Sequence, residues 1–258
     1  MHDIWYSILG DFMLHIGKYC LYILKGAGKI LFYPLLGKKY VKNKDAYPLQ
    51  ERYDFVKDRA NEILIKYMGA NLVVSGWEKI DANSTYLFTP NHQGLLDPVC
   101  LINIFDKPLI FVSKKEVETT PIIGKINYII DSIFLDRDSP RDALNMVKLC
   151  KSYLNDKQSV VIFPEGTRSK DEEVSIHSYK PGAFKCAYGT GAKIMPIVID
   201  GSYLFLTTKK KNPKKVIKVS FLDPIEEKDY LDKNTTELAL EIENRAKIEL
   251  EKMRKTAI

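Results

Sequence analysis

The chain of 258 residues is long enough for one sizeable α/β domain with an appendage, or for two small domains. A hydrophobic content of 45% and a charged content of 28% are those of an ordinary globular protein and exclude global disorder. The net charge of +6 suits an anionic membrane surface or an anionic substrate, but it also fits a basic protein with no special partner. Four cysteines without CxxC spacing argue against a disulfide framework or zinc site and favour a reducing, cytosolic compartment.

The first segment, residues 4–36, is rich in aromatic and aliphatic side chains but is interrupted by charges such as Asp11, Lys18 and Lys29. No run in it approaches the roughly 20 apolar residues of a membrane-spanning helix, and the start lacks the basic region of a signal peptide. Lysines interspersed with large apolar side chains are typical of a helix that lies in the membrane interface. A helix packed on the body of the protein, or at an oligomer interface, would show the same pattern.

A second helix is predicted over residues 51–68, where apolar side chains recur on one face, and Gly69 is a natural helix stop. Together the two segments predict an N-terminal helical hairpin, amphipathic and suited to membrane-surface docking, over residues 1–69. Residues 70–258 form the second predicted unit.

Short apolar runs, each followed by turn residues or a helical stretch, begin at position 71. The runs are LVVSGW, TYLFTP, LIFVSK, SIFLDR, SVVIFPEG, IMPIVID and VIKVSF. Helices are predicted at residues 98–105, 141–155, 182–188 and 235–255. This alternation predicts an α/β fold with a mixed, largely parallel central sheet flanked by helices. The loops at the carboxyl ends of such strands are where α/β folds place their chemistry, and three of them carry unusual residues.

The first set, NHQGLLDP, begins at Asn91, directly after the strand TYLFTP. Asp97 followed by Pro98 predicts a helix start with the aspartate as N-cap. Gly94 lets the loop turn tightly, so the Asp97 carboxylate can reach the imidazole of His92. A carboxylate on one ring nitrogen leaves the other nitrogen free to take a proton, as in a hydrolase triad whose nucleophile is replaced by a substrate hydroxyl. A loop histidine bonded to backbone and an ordinary N-cap would use the same residues.

The second set lies at the tip of the strand run SIFL, where Asp136 and Arg137 follow. The planar guanidinium of Arg137 suits a bidentate grip on phosphate. Alternatively, the two charges are solvated in a strand-end turn or pair with each other.

The third set, FPEGTRS, follows the continuous apolar strand SVVIF and is the most distinctive. Glu165 can accept a hydrogen bond from a substrate hydroxyl, and Arg168 offers a second phosphate clamp. Gly166 frees a backbone N–H for close approach to a ligand oxygen. A generic turn contains any two of these residues, but all seven in this order after a buried strand indicate a site.

NHQGLLDP, IFLDR and FPEGTRS, in this order and at these separations, resemble the signature blocks of the glycerolipid acyltransferase family. The best-known members of that family are lysophosphatidate acyltransferases. The strand at residues 194–198 and the segment at residues 179–185 resemble two further family segments, and the similarity covers residues 71–225. The family usually has glycine at the position of Asp131 and often near Leu222, and both departures bear on the shape of the acceptor pocket.

The resemblance implies that His92, as general base, takes the proton from the free hydroxyl of a lysophospholipid while that oxygen attacks an acyl thioester. Asp97 would orient the imidazole, and Cys100 is expected to be a buried helix residue because no acyl-enzyme is required. Arginines would hold the acceptor phosphate. The residues expected to bind the acceptor or shape its site are Asn91, Arg137, Glu165, Gly166, Thr167, Arg168 and Lys180.

The expected partners are lysophosphatidic acid as acceptor, acyl-CoA or acyl carrier protein as donor, and an anionic membrane surface at the cytoplasmic face, bound peripherally or monotopically. No metal and no bound cofactor is expected. The basic loop at residues 209–215 either adds attraction to anionic lipid or to a phosphorylated carrier, or is a solvated hairpin tip. Other acceptors (glycerol 3-phosphate, another lysophospholipid, a lipid A-type sugar) and a non-catalytic lipid-binding protein stay open. No nucleic-acid partner is expected, because the basic residues are dispersed.

Overall fold

The computed structural model describes residues 37–169, 174–205 and 215–255 of the chain. The predicted helix at residues 4–36 and most of the basic loop at residues 209–215 lie outside the described residues.

The described N-terminal part is helical and leads directly into the sheet. Helix α1, Lys38–Lys42, is followed by α2, Leu49–Asn61, which continues as a π-helical segment, Glu62–Tyr67. Gly69 adopts a φ of 64° and ends this helix as predicted, since its N–H still donates to the carbonyl of Ile65. The division into units at residues 1–69 and 70–258 stays a prediction.

The seven predicted strands are all present and form one seven-stranded sheet in the order β1-β7-β6-β2-β5-β3-β4. Every neighbouring pair is parallel except β6 and β7, which are antiparallel. The strands are β1 Asn71–Ser75, β2 Tyr86–Pro90, β3 Leu109–Lys114, β4 Ile133–Leu135, β5 Ser159–Val161, β6 Lys193–Asp200 and β7 Val216–Phe221. The prediction of a mixed, largely parallel sheet is therefore confirmed.

Two apolar layers cover the two faces of the sheet, because successive side chains of a strand point to opposite faces. In β2, Phe88 belongs to the layer that contains α2 and α3, whereas Leu87 belongs to the layer that contains α5 and α7. The remaining helices are α3 Asp97–Ile104, α4 Ile123–Ile129, α5 Pro140–Asn155, α6 Glu227–Tyr230 and α7 Thr235–Lys255. Both central strands, β2 and β6, are thus buried on both sides, and their carboxyl ends point at a common edge.

The helices differ from the prediction in several places, and the short helices α1 and α6 were not predicted. Residues 182–188 form a 3-10 segment, Pro181–Phe184, followed by turns with i to i+3 bonds such as Ala187 N–H to Phe184 O, because Gly182 near the start disfavours an α-helix. Helix α4 was not predicted, since its isoleucine-rich sequence has the composition of a strand. Among the described residues, no helix has both the length and the apolarity to cross a membrane.

Asp131, where the resemblance of the motif blocks predicts glycine, takes up the left-handed backbone conformation, with a φ of 57°. Its carboxylate pairs with Arg52 at 2.7 Å and with Lys44 at 2.6 Å, so it ties the N-terminal helices to the start of β4. Leu222, the other departure, is buried in the layer under α5 and α7.

Candidate active site

The loop after β2 brings the imidazole of His92 against a buried carboxylate. His92 Nδ1 lies 2.7 Å from Asp97 Oδ2, as the tight loop predicts. Asp97 is fully buried, whereas 18% of the His92 side chain is exposed. Within the described residues Nε2 has no hydrogen-bond partner, so this nitrogen is the one available to a ligand.

The Asp97 carboxylate is also held by groups outside the imidazole. Oδ2 accepts the backbone N–H groups of Gln93 at 2.7 Å and Gly94 at 2.8 Å, and Oδ1 accepts the hydroxyl of Ser202. The predicted N-cap role of Asp97 is wrong: α3 begins at Asp97 itself, and Leu96 is the N-cap without a side-chain bond. The reason is that the carboxylate turns back to the loop that precedes the helix, where two N–H groups and the imidazole converge on it.

Asn91 is buried, and both the nitrogen and the oxygen of its side-chain amide are bonded to the backbone of strand β6. Its Nδ2 donates to the carbonyl of Ile199 at 3.0 Å, and its Oδ1 accepts the N–H of the same residue at 2.7 Å. Gln93 is held in a similar way, since it donates to Asp200 and accepts the N–H of Gly201, both at 3.0 Å. These bonds fix the loop on either side of His92, and a substrate contact of Asn91 stays a prediction.

The turn FPEGTRS packs directly on the His92 loop. The Phe163 ring lies against the imidazole with 4.2 Å between ring centroids. The N–H of Ser169 donates to the His92 carbonyl at 2.9 Å. Gly166 closes the turn with a φ of 69° and an N–H bond to the Phe163 carbonyl, a conformation that favours glycine.

Glu165 is buried and accepts backbone N–H groups with both carboxylate oxygens. Oε1 accepts from His92 at 2.7 Å and Oε2 accepts from His177 at 2.9 Å. The glutamate therefore locks the backbone of the His92 loop to the segment at residues 174–181. A bond from a substrate hydroxyl to Glu165 stays a prediction.

The cationic residues of the site fall into two groups. Arg168 and Lys180 are exposed beside the turn, and the Lys180 ammonium lies over Gly166, 3.0 Å from where a Cβ would stand. Thr167 is also exposed in this turn. Arg137 instead follows β4, three strands from β2 and so about 14 Å away at the usual strand spacing. Burial lowers the pKa of Arg137, and the charge of Glu116 opposes that shift.

Cys100, on the first turn of α3, is fully buried as predicted. Burial raises the pKa of its thiol well above the ordinary value, and the charge of Asp97 adds to the shift. A thiol with so little thiolate is a poor nucleophile. In the described part of the chain, no group of three or more His, Cys, Asp or Glu side chains is placed to hold a metal ion.

An apolar cavity of about 100 Å³ lies between helices α2, α3 and α4. Two of its walls, Val99 and Ile102, belong to α3, the helix that begins at Asp97. Other wall residues are Phe55, Ala60, Ile126 and Ile129, and the cations Arg59 and Lys125 also border the cavity.

The sequence patterns did not single out four residues that hold the site: Gln93, Phe163, Ser169 and Ser202. Gln93, Phe163 and Ser169 stand inside the quoted blocks without a role. Ser202 lies 105 positions from its partner Asp97, so only the strand order could reveal it.

An α/β domain that orients one imidazole with a buried carboxylate, and in whose described part no nucleophilic side chain is bonded to that imidazole, has the features of a transferase that activates a substrate hydroxyl. The Acyltransferase family model matches residues 71–200, just over half of the chain, and the chain belongs to that family. The resemblance of its motif blocks is therefore confirmed.

Relatives of known name span most of the chain. A probable 1-acyl-sn-glycerol-3-phosphate acyltransferase of Mycoplasma pneumoniae is 28% identical over 212 residues, which are 76% of this chain and 78% of that protein. The 1-acyl-sn-glycerol-3-phosphate acyltransferase of Haemophilus influenzae is 30% identical over 157 residues, 60% of this chain and 64% of that protein. The crystal structure of PlsC, the LPA acyltransferase of Thermotoga maritima, superposes over the whole of both chains with a TM-score of 0.67 at 21% identity, which shows the same fold.

Proposed function

We propose that this acyltransferase moves a fatty acyl group from acyl-CoA or acyl-ACP to the free hydroxyl of lysophosphatidic acid, giving phosphatidic acid for phospholipid biosynthesis. The observation that carries the proposal is the 2.7 Å contact of His92 Nδ1 with the buried Asp97, which leaves Nε2 available for the hydroxyl proton. The names of the relatives from Mycoplasma pneumoniae and Haemophilus influenzae support this acceptor.

In the proposed reaction the acceptor oxygen attacks the thioester carbonyl as Nε2 of His92 takes its proton. The C–S bond then breaks, the imidazolium returns the proton to the leaving thiolate, and the products are an ester and a free thiol. A positioned base of this kind contributes about 10²–10⁴-fold to the rate. A nearby backbone N–H would meet the developing oxyanion, but not that of Gly166, which is bonded to the Phe163 carbonyl. The buried, poorly ionised Cys100 favours this direct transfer over an acyl-enzyme.

The acceptor phosphate would lie over the turn that carries Arg168 and Lys180. Both cations are exposed there, and the adjacent Ser169 is bonded to the His92 carbonyl, so a phosphate held at this turn stands beside the base. Arg137 contributes only if the bound lipid spans the sheet edge toward β4. The apolar cavity beneath α3 would receive a fatty acyl chain.

The acceptor is a membrane lipid, so we place the enzyme at the cytoplasmic face of the membrane, bound peripherally or monotopically through its N-terminal segment. The net charge of +6 favours an anionic lipid surface.

The test measures thiol release from an acyl thioester with and without lysophosphatidic acid, for the wild-type chain and for His92→Ala. We expect release that depends on the acceptor, yields phosphatidic acid, and falls at least about 10²-fold in the variant. Equal turnover of His92→Ala would overturn the mechanism. Wild-type turnover only on glycerol 3-phosphate or on another lysophospholipid would overturn the acceptor, and lipid binding without turnover on any acceptor would indicate a non-catalytic protein.

A further inference from the structure

Ser202 lies beneath the His–Asp pair although it belongs to a distant part of the chain. Strand β6 ends at Asp200, and Gly201 then turns the chain with a φ of 93°, a conformation that side-chain-bearing residues rarely adopt. The turn places Ser202 at the start of the 3-10 segment Ser202–Phe205, where it is fully buried. The family model ends its match at residue 200, before this segment.

The Ser202 segment and the His92 loop are docked against each other at several points. The N–H of Gly201 donates to the Gln93 side chain at 3.0 Å. A Cβ on Gly94 would lie 3.3 Å from the Cα of Tyr203 and 3.6 Å from the Ser202 oxygen, so the two backbones approach closely. The position of Ser202 relative to the pair is therefore set by backbone packing.

The two oxygens of Asp97 are held by different partners. Oδ2 accepts from the imidazole and from two backbone N–H groups. Within the described residues Ser202 is the only donor to Oδ1. A carboxylate held at one oxygen can still rotate about its axis, whereas a carboxylate held at both oxygens has a fixed plane.

We propose that Ser202 is a positioning residue for the reaction, because its hydroxyl fixes the plane of the Asp97 carboxylate and thereby the direction of the His92 imidazole. The inference rests on the proposed function. Removing the hydroxyl leaves a charged oxygen without a donor in a fully buried site, which is the costly case for a polar group. The Asp97 carboxylate would then rotate, or a water molecule would enter the space left by the hydroxyl. In either case the imidazolium that forms during the reaction would lose part of its stabilisation.

The experiment compares wild-type full-length protein with Ser202→Ala and Ser202→Thr, using acyl-CoA and lysophosphatidic acid in detergent–lipid micelles. We expect kcat of Ser202→Ala to fall about tenfold, which is part of the rate enhancement that a positioned base contributes, with KM within about twofold because Ser202 is fully buried. Ser202→Thr keeps the hydroxyl and is expected to recover most of kcat.

Ser220→Ala is the matched control. Ser220 is also buried and donates its hydroxyl to a carboxylate, Glu249, at 2.7 Å, but it lies on β7 outside the site. We expect a loss of thermal stability similar to that of Ser202→Ala with kcat unchanged.

A proton NMR signal gives a readout that does not depend on turnover. The Nδ1 proton between His92 and Asp97 should resonate far downfield and be assigned by its absence in His92→Ala. We expect Ser202→Ala to shift or broaden this signal and Ser220→Ala to leave it in place. An unchanged signal in Ser202→Ala, or a kcat equal to that of wild type, overturns the proposal. Absence of turnover in the wild type overturns the proposed function instead, and the signal still decides the positioning role.

Discussion

Glu165 joins two other segments of the chain. One contains His92, which lies 73 positions before Glu165, and the other contains His177, which lies 12 positions after it. Each oxygen of the buried carboxylate accepts one backbone N–H. An anionic acceptor suits this site because both partners are donors, and bonds to a charged acceptor are stronger than those between neutral groups. The residue therefore holds the backbone that carries the base, whatever it also contributes to the substrate.

Glu165→Gln tests that role. Glutamine presents one oxygen and one NH₂ group, so one of the two backbone donors would face another donor. We expect a loss of about 1–3 kcal/mol in the free energy of unfolding. We also expect kcat to fall, because the His92 backbone is released. Urea unfolding and steady-state kinetics measure the two effects.

Glu243→Gln is the control for a general loss of stability. Glu243 is also buried and accepts a backbone N–H, that of Tyr179, at 2.8 Å, and it bonds Lys247. We expect a similar loss of stability with little change in kcat. Comparable kcat losses in both variants would contradict a specific role of Glu165 in holding His92.

The local part of the site was predictable and the long-range part was not. The contact between His92 and Asp97 follows from a five-residue spacing with glycine between them, which is local geometry. The partners of Asn91 and Ser202 lie 108 and 105 positions away and depend on β6 being the neighbour of β2. A residue pattern along one chain does not contain that neighbourhood.

Helix α2 is held to the connection between α4 and β4 by one buried cation, Arg52. The guanidinium of Arg52 donates to the carbonyl of Tyr47 at 3.1 Å, to the carbonyl of Ile129, and to the carboxylate of Asp131. Burial raises the pKa of Asp131, but the bonds from Arg52 and Lys44 outweigh burial, so this pKa lies below its ordinary value. A glycine at position 131 could not make this connection.

Asp131→Asn removes the charge and keeps a residue that tolerates the left-handed conformation. We expect the free energy of unfolding to fall by about 2 kcal/mol at neutral pH. This loss is smaller than for a fully buried pair, because Asp131 and Lys44 are partly exposed. A folded-state pKa below the unfolded value of about 3.9 contributes stability that is complete above that pH. The difference between wild type and variant should therefore narrow as the pH falls below about 4 and through the folded-state pKa. Urea unfolding of both proteins at several pH values measures this difference in the free energy of unfolding.

Asp106→Asn serves as the control, because Asp106 lies in the loop after α3 and its ion-pair partner is on the same helix, α2. Asp106 pairs with Lys57 of α2, but 97% of its side chain is exposed, so solvent screens the pair. We expect the free energy of unfolding to change by no more than about 0.5 kcal/mol. An equal loss of stability in both variants, or a loss for Asp131→Asn that does not depend on pH, would show that the ion pairs of Asp131 do not hold α2 in place.

Strand and helix assignments succeeded where the pattern was long or continuous. The terminal helix, Thr235–Lys255, begins at the predicted residue and continues to the last described one, because its apolar stripe runs over many turns. Helix α4 was missed because seven residues rich in isoleucine carry no helical period that outweighs strand propensity. Packing of α4 against α1 and α2 decides its conformation, and that information is tertiary.

The covered sheet was predictable from the sequence, but the order of its strands was not. Alternating strands and helices imply a covered parallel sheet, yet nothing in VIKVSF indicates that β7 inserts between β1 and β6 and runs antiparallel to β6. The strand order places the His92 loop and the Ser202 segment side by side and separates Arg137 from them. It also leaves α2, α3 and α4 on one face, where the apolar cavity forms.

The apolar cavity between α2, α3 and α4 is formed by residues from several segments of the chain. Ala60 on α2 is a buried wall residue, and Ala60→Leu would place a larger side chain in the space proposed for an acyl chain. Each methylene excluded from an apolar site costs about 0.8 kcal/mol, so loss of two methylenes lowers kcat/KM about tenfold. We expect this loss for long acyl donors and little loss for short ones, measured as the ratio of kcat/KM over a series of acyl-CoA lengths. Ala143→Leu, a half-buried position on α5 outside the cavity, should leave the ratio unchanged. The same ratio in wild type and Ala60→Leu would mean that the donor chain binds elsewhere.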